Sequence, residues 1–182
     1  MTDITYKRPF VTASRSIDEQ ISLDLVKAYV ASQGMIATES EDKYARYDLL
    51  ATPSDRSPEG CFIEVKNRRL NATQFKYYAR EGFLIEKEKY DYLRSKQGFY
   101  ANTFIFDNLT AVIFWDFGNH GYKINSFELK KLPAHTDFVN TQDRSKITSF
   151  LPLNSAFIFI NGDYSKRISP MALLALLTVN PN

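Results

Sequence analysis

The 182-residue chain holds a single cysteine, Cys61, which excludes an internal disulfide and leaves a buried structural thiol as its reading. Its two histidines, His120 and His135, have no metal-ligand spacing to the cysteine or to a carboxylate pair, which excludes a zinc motif. No glycine-rich loop that would cradle a phosphate is present, and no Gly-x-Ser-x-Gly element. Asp116-Phe117-Gly118 spells a kinase-like triplet. Without a glycine-rich loop or a His-Arg-Asp motif it reads as a strand running into a turn.

Long hydrophobic runs are also missing. Met171 to Val179, the longest near the carboxyl end, is far too short to cross a bilayer, and the first residues show no signal-type apolar segment. A cytoplasmic protein is expected, and in that setting the sequons at Asn71 and Asn108 carry no meaning. Lysine and arginine number 23 against 21 aspartates and glutamates, a net charge of only +2. Any electrostatic footprint for nucleic acid therefore has to be local. There is no internal repeat and no low-complexity segment.

What is present is an ordinary soluble composition, with 44% apolar and 24% charged residues, in a chain long enough to bury one core. A single domain over 1–182 is expected, with a core over about 16–131 and a C-terminal extension over 132–182. The 14 phenylalanines and 11 tyrosines suit sheets and also base stacking. Ser16-Ile17-Asp18-Glu19 matches a capping box, predicting a helix to about Ser32 with Ile17, Ile21, Leu25 and Ala28 as its apolar stripe, widened by Val26 and Tyr29, and Gly34 as its stop. Met35 to Thr38, the run carrying Asp48 and the run Gly60 to Lys66 read as strands. The turn-rich Pro53 to Gly60 joins the last two as an antiparallel hairpin.

Further on, Asn71 to Arg80 reads as a short helix and Glu86 to Gln97 as a better one, with Tyr90 and Leu93 three apart. Phe99 to Phe106 and Thr110 to Phe117 form a second hairpin around Asp107-Asn108. A strand near Tyr122 to Ile124, a helical turn over Ser126 to Lys131, a loop from Pro133 to Lys146, strands at Ile147 to Leu153 and Ser155 to Ile160, and a helix from Pro170 to Leu177 complete the reading. The order implies an α/β or α+β domain with a central mixed sheet flanked by helices.

The most informative stretch is Ile63-Glu64-Val65-Lys66. Gly60 to Val65 is apolar on both faces, as in the middle of a covered sheet, so a carboxylate and an ammonium there need compensation. Alternation sends Glu64 and Lys66 to one face. If the strand carrying Asp48 pairs with this one, three charged groups converge. A divalent cation and a phosphate would explain that convergence; a structural ion-pair triad is the bland alternative.

Asp48 followed by Glu64-Val65-Lys66, on two successive apolar strands after a capped helix, resembles the PD-(D/E)xK, or restriction-endonuclease-like, nuclease superfamily. The resemblance covers about Ser16 to Phe117; Tyr47 stands where the naming proline would be. It implies a restriction-endonuclease-like core and a Mg2+- or Mn2+-dependent nuclease hydrolysing DNA phosphodiester bonds. Asp48, Glu64 and the backbone carbonyl near Val65 would hold the metal. Lys66 would orient the attacking water or stabilise the transition state. Glu19 would be a further carboxylate from the first helix, or simply a cap.

Beyond the acids, Arg68, Arg69, Gln74, Lys76 and Tyr77 interleave basic, polar and aromatic groups. They suit a nucleic-acid backbone with bases stacking nearby, DNA rather than RNA; an ordinary solvated helix is the alternative. The small size points to a homodimer or a component of a larger assembly. The rival class is a non-catalytic protein on the same scaffold that binds nucleic acid or a partner.

Overall fold

The computed structural model describes residues 17–41, 45–53, 60–68, 70–106, 109–118, 123–132 and 144–179. It is a mixed α+β structure. In chain order the elements are α1 (Ile17–Ser32), β1 (Met35–Glu39), β2 (Leu49–Pro53), β3 (Cys61–Arg68), α2 (Ala72–Glu81), β4 (Phe83–Glu86), α3 (Lys87–Ser95), β5 (Phe99–Phe106), β6 (Leu109–Asp116), β7 (Glu128–Leu132), β8 (Arg144–Leu151), β9 (Phe157–Ile160), β10 (Asp163–Ile168) and α4 (Pro170–Val179). Seven strands form one sheet in the order β1-β2-β3-β5-β6-β9-β10, and a smaller sheet runs β4-β8-β7.

Within the large sheet only β3 and β5 are parallel, in a register that sets Glu64 against Tyr100, Lys66 against Asn102 and Arg68 against Phe104. Parallel neighbours need a crossover. Here the crossover is α2-β4-α3, and it covers one face of the sheet. Phe75, Phe83, Ile85, Tyr90 and Leu93 from this crossover pack with Tyr100, Phe104 and Trp115. On the opposite face Leu23, Val26 and Val30 of α1 pack with Ile63, Ala101 and Val112. Both faces of β3 are thus covered, which is why its sequence is apolar in both registers.

The α1 stripe differs from the expected one by a small rotation. Ile17 is 79% exposed and Ile21 is exposed as well, while Ser22, Leu23, Val26 and Val30 are buried. Apolar residues ring much of this helix, so two stripes compete in the sequence. The small Ser22 decides between them: its hydroxyl donates to Asp18 O at 2.7 Å and accepts from Thr103 Oγ1 at 2.6 Å, which lets α1 approach β5 closely. The expected cap at Ser16 lies outside the described residues. Gly34, with φ of 72°, follows the end of α1 in the left-handed conformation that such a stop requires.

Four other expectations change. Lys123 and Ile124, expected in a strand, are irregular. Ser126 to Lys131 is not a helical turn; Glu128–Leu132 is β7, held by β8 through pairs such as Leu129 with Ile147. Phe83–Glu86, of which Glu86 was expected to open a helix, and Asp163–Ile168, which had no expected element, are strands paired to β8 and β9. The polar segment expected to loop as far as Lys146 already enters β8 at Arg144. The C-terminal part therefore serves both sheets, β8 bonding to the crossover strand β4 and β9 extending the large sheet from β6. No helix among the described residues is long and apolar enough to cross a membrane.

This packing has two measurable consequences. A Cβ on Gly98, at the entry to β5, would lie 2.4 Å from the Phe62 carbonyl oxygen. Gly98→Ala should therefore destabilise the fold by ~1–3 kcal/mol in urea unfolding. Burial, helped by the Asp116 charge, pushes the half-buried Cys61 thiol up to about 12. Between a normal thiol value and that one the folded chain holds a proton that the unfolded chain has lost, so stability falls as pH rises through this window. Cys61→Ala should flatten that decline when melts are compared at about pH 8 and about pH 10.5, bracketing the ordinary thiol range.

Candidate active site

β2 and β3 pair only from Leu49 with Ile63 to Ala51 with Cys61. Beyond Ile63 the two strands part, and the charged residues stand at that parting. The Asp48 backbone N–H still donates to Ile63 O at 2.9 Å. Its carboxylate then takes over the ladder's role: Oδ2 accepts from the Val65 N–H at 2.7 Å. The strand geometry that begins the site thus also fixes the orientation of one of its acids.

Glu64 is 3% exposed. A carboxylate at that depth requires nearby positive charge, and two ammonium groups supply it. Lys66, two residues along the same strand and 42% exposed, has Nζ 3.6 Å from Glu64 Oε1. Lys89, from α3 and 24% exposed, lies directly against the same oxygen. Burial pushes the Lys89 ammonium down to about 8; the charge of Asp48 opposes the shift and Lys146 adds to it. Lys146, at the start of β8, is tied to Glu86 at 2.7 Å. Glu64 of β3 is thus paired with lysines from β3 and α3, and a second pair, Glu86–Lys146, joins the end of β4 to β8 nearby, where its lysine charge is felt by Lys89.

Glu64 and Lys66 stand together as alternation implies, and Asp48 reaches the backbone of the same stretch through the Val65 N–H. Lys89 and Lys146 were not foreseen. A signal for Lys89 was present: it stands four residues before the buried Leu93 and next to the buried Tyr90, so a lysine occupies the core-facing side of a short amphipathic helix.

The other expected site residues are distributed differently. Glu19 is exposed in the first turn of α1, and that helix packs on the sheet face opposite the one to which Glu64 and Lys66 project. Among the described residues no group of three or more His, Cys, Asp or Glu side chains is gathered to hold a metal ion, so Glu19 does not join the acidic pair. Arg68 shares the face of Lys66 but is turned inward. Its guanidinium donates to Leu84 O at 2.9 Å, Asn102 Oδ1 at 3.2 Å and Tyr100 Oη at 3.3 Å, joining β3, β4 and β5. Its Nε and Nη2 donors are turned to the core, in contrast to the expectation of a cation held out for phosphate.

Gln74 is likewise engaged locally. With Asn71 it completes a capping box at the start of α2, with bonds of 3.0 and 2.9 Å. Lys76 and Tyr77 are exposed on α2, and Tyr77 packs edge-on against Tyr78. Arg69 lies outside the described residues. Asn102, cross-strand from Lys66, is fully buried, and its amide nitrogen has no hydrogen-bond partner among the described residues. Such a group costs ~1–3 kcal/mol.

The donor set fits a hard divalent cation in kind, with two carboxylates converging beside a strand backbone. Chemically the cluster can also bind an anion, because Lys66 and Lys146 keep partly exposed ammonium groups at its mouth.

The Asp48 carboxylate thus has a backbone role that is separable from its charge. Asp48→Ala should speed hydrogen exchange at the Val65 amide by an order of magnitude or more, about the effect of losing one charge-assisted bond. Asp48→Asn, which keeps an acceptor, should leave that amide protected. Equal exchange in wild type and Asp48→Ala would contradict this geometry.

No protein-family model, curated protein or solved structure matches this chain, so the reading of the site rests on its own residues.

Proposed function

We propose that the chain is a metal-dependent nuclease that hydrolyses DNA phosphodiester bonds at Asp48, Glu64 and Lys66. One observation carries the reading: where β2 and β3 part, the Asp48 carboxylate is held by the Val65 N–H at 2.7 Å while Lys66 Nζ lies 3.6 Å from Glu64 Oε1, so that two acids and an ammonium adjoin the same stretch of β3. The order of elements supports it. A helix, an Asp strand, a Glu-x-Lys strand and then a crossover to the parallel β5 agree with the resemblance to PD-(D/E)xK nucleases over that part of the chain.

On this reading Asp48 and Glu64, with the Val65 carbonyl, would hold Mg2+ or Mn2+. When bound, that ion lowers the pKa of a water and offsets charge on the scissile phosphate. The protein's own groups do the rest. The Val65 N–H keeps the Asp48 carboxylate oriented toward β3. Lys66, anchored at Glu64 and partly exposed, donates a hydrogen bond to the attacking water or to a non-bridging phosphate oxygen, where negative charge grows. Water oxygen bonds to phosphorus as the water gives up a proton to solvent, the bond to the leaving sugar oxygen breaks, and that oxygen takes up a proton from solvent. Lys146 adds positive charge for the backbone of the substrate. One such centre cuts one strand, so cutting both requires two copies, as a two-fold dimer or larger assembly provides.

A second reading has its own observation. Each acid already has an internal partner, Asp48 the Val65 N–H and Glu64 the ammonium groups of Lys66 and Lys89. The same scaffold could therefore bind nucleic acid or a protein partner without cutting.

A plasmid-nicking assay with Mg2+ or Mn2+ separates the two. Wild type should cut, and Asp48→Asn, Glu64→Gln and Lys66→Met should each lose activity by about 10²–10³-fold, the loss typical of removing one transition-state stabiliser. Salt-dependent DNA binding without cleavage under any divalent ion would favour the second reading. If all three variants cut like wild type, the assignment of the site is wrong.

A further inference from the structure

We infer that Lys89 is a built-in counter-ion of the acidic pair, which has to leave Glu64 before a divalent cation can bind there, and which then becomes available to a phosphate of the substrate. The inference rests on the nuclease reading and deepens it by naming what controls entry of the metal.

The geometry is specific. Lys89 lies directly against Glu64 Oε1, the same oxygen that faces Lys66 at 3.6 Å, so two positive groups already crowd one carboxylate oxygen. Asp48 is near enough to act on Lys89 through its charge, so the ammonium is attracted by both acids. A divalent ion brought to Asp48 and Glu64 with Lys89 in place would meet a like charge at contact distance, in a site where little water screens the repulsion.

The surrounding groups balance one another: Asp48, Glu64 and Glu86 against Lys66, Lys89 and Lys146. With no net charge, the six groups give a divalent ion little attraction. Displacing Lys89 changes this, because Glu64 is then released to the ion. The freed ammonium stands beside Lys66 and near Lys146, a lysine group suited to a phosphodiester oxygen. Metal and nucleic acid then favour each other's binding, and this coupling is reciprocal. Lys89 is on this account a positioning residue. The structural alternative, in which it only stabilises the fold, predicts no effect on metal affinity.

The test is Mn2+ binding by calorimetry, without nucleic acid, for wild type, Lys89→Met and Lys89→Arg. Lys89→Met should bind Mn2+ at least tenfold more tightly than wild type, while Lys89→Arg, which keeps the charge, should bind no more tightly. Equal or weaker binding by Lys89→Met, with clear binding by wild type, overturns the inference and leaves the nuclease reading standing. No binding by either protein overturns both.

A second measurement does not depend on how well Lys89→Met folds. In wild type with 13Cε-labelled lysine, Mg2+ should move the Lys89 signal, identified with Lys89→Arg, toward those of exposed lysines. The midpoint should match that of metal binding. A Lys89 signal unmoved at saturating Mg2+ overturns the inference.

Discussion

The structure is organised around a carboxylate that would be unstable alone. Glu64 sits on β3 of a seven-stranded sheet, with both faces of that strand covered, and is almost wholly removed from water. Keeping it ionised there costs several kcal/mol unless cations are brought to it. Lys66 comes from the same strand by alternation alone. Lys89 requires the whole crossover: β4 and α3 have to lie over β3, which the burial of Phe83, Ile85, Tyr90 and Leu93 achieves. Apolar packing places the helix and the helix places the ammonium. The Lys146–Glu86 pair extends the same charge balance to the second sheet, so β8 is bound to the site by charge as well as by its backbone ladder with β4.

The central part of this arrangement was legible because it depends on local rules. Apolar residues at both parities over Cys61 to Val65 marked a doubly covered strand, and the period of two placed Glu64, Lys66 and Arg68 on one face. The turn-rich stretch before Gly60 marked the β2–β3 hairpin, and the β5–β6 hairpin and α4 also stand where their patterns put them. What escaped depends on tertiary contacts. The rotation of α1 is set by the Ser22–Thr103 hydrogen bond across 81 residues. Strand β4 has four residues and is a strand because β8 pairs with it. β7 was misread as a helical turn because Glu128-Leu129-Lys130 has too few apolar residues to declare a period.

Arg68 shows how a correct face assignment can still mislead about function. It lies on the Lys66 face, as alternation requires, yet two residues farther along β3 the environment differs: Tyr100 Oη, the Leu84 carbonyl and Asn102 Oδ1 all stand within reach of its guanidinium. A planar group with several donors satisfies three acceptors at once, so it serves as a link between strands. Lys66 has only an ammonium, one carboxylate close by and an open side. The difference between the two cations lies in what surrounds them and not in their order along the strand.

A cluster built for stability alone would have little reason to take this form. Buried ion pairs are often matched or surpassed by packed apolar side chains of similar volume, so they are weak stabilisers. This one also spans the point where β2 and β3 stop pairing, a place where a continuous ladder would have satisfied the Val65 N–H without any acid. The parting of the strands creates a need that Asp48 meets, and meeting it holds a second carboxylate on the backbone of the residue after Glu64. Exposure then rises outward, from a buried Glu64 through Lys89 to the more open Lys146 and Lys66. On the proposed hydrolytic reading the two more open lysines would meet an anionic backbone, while Glu64 would hold a cation beneath it. A structural ion pair needs only one lysine for Glu64, and the second, partly exposed one is what the proposed hydrolytic reading accounts for and the structural reading does not.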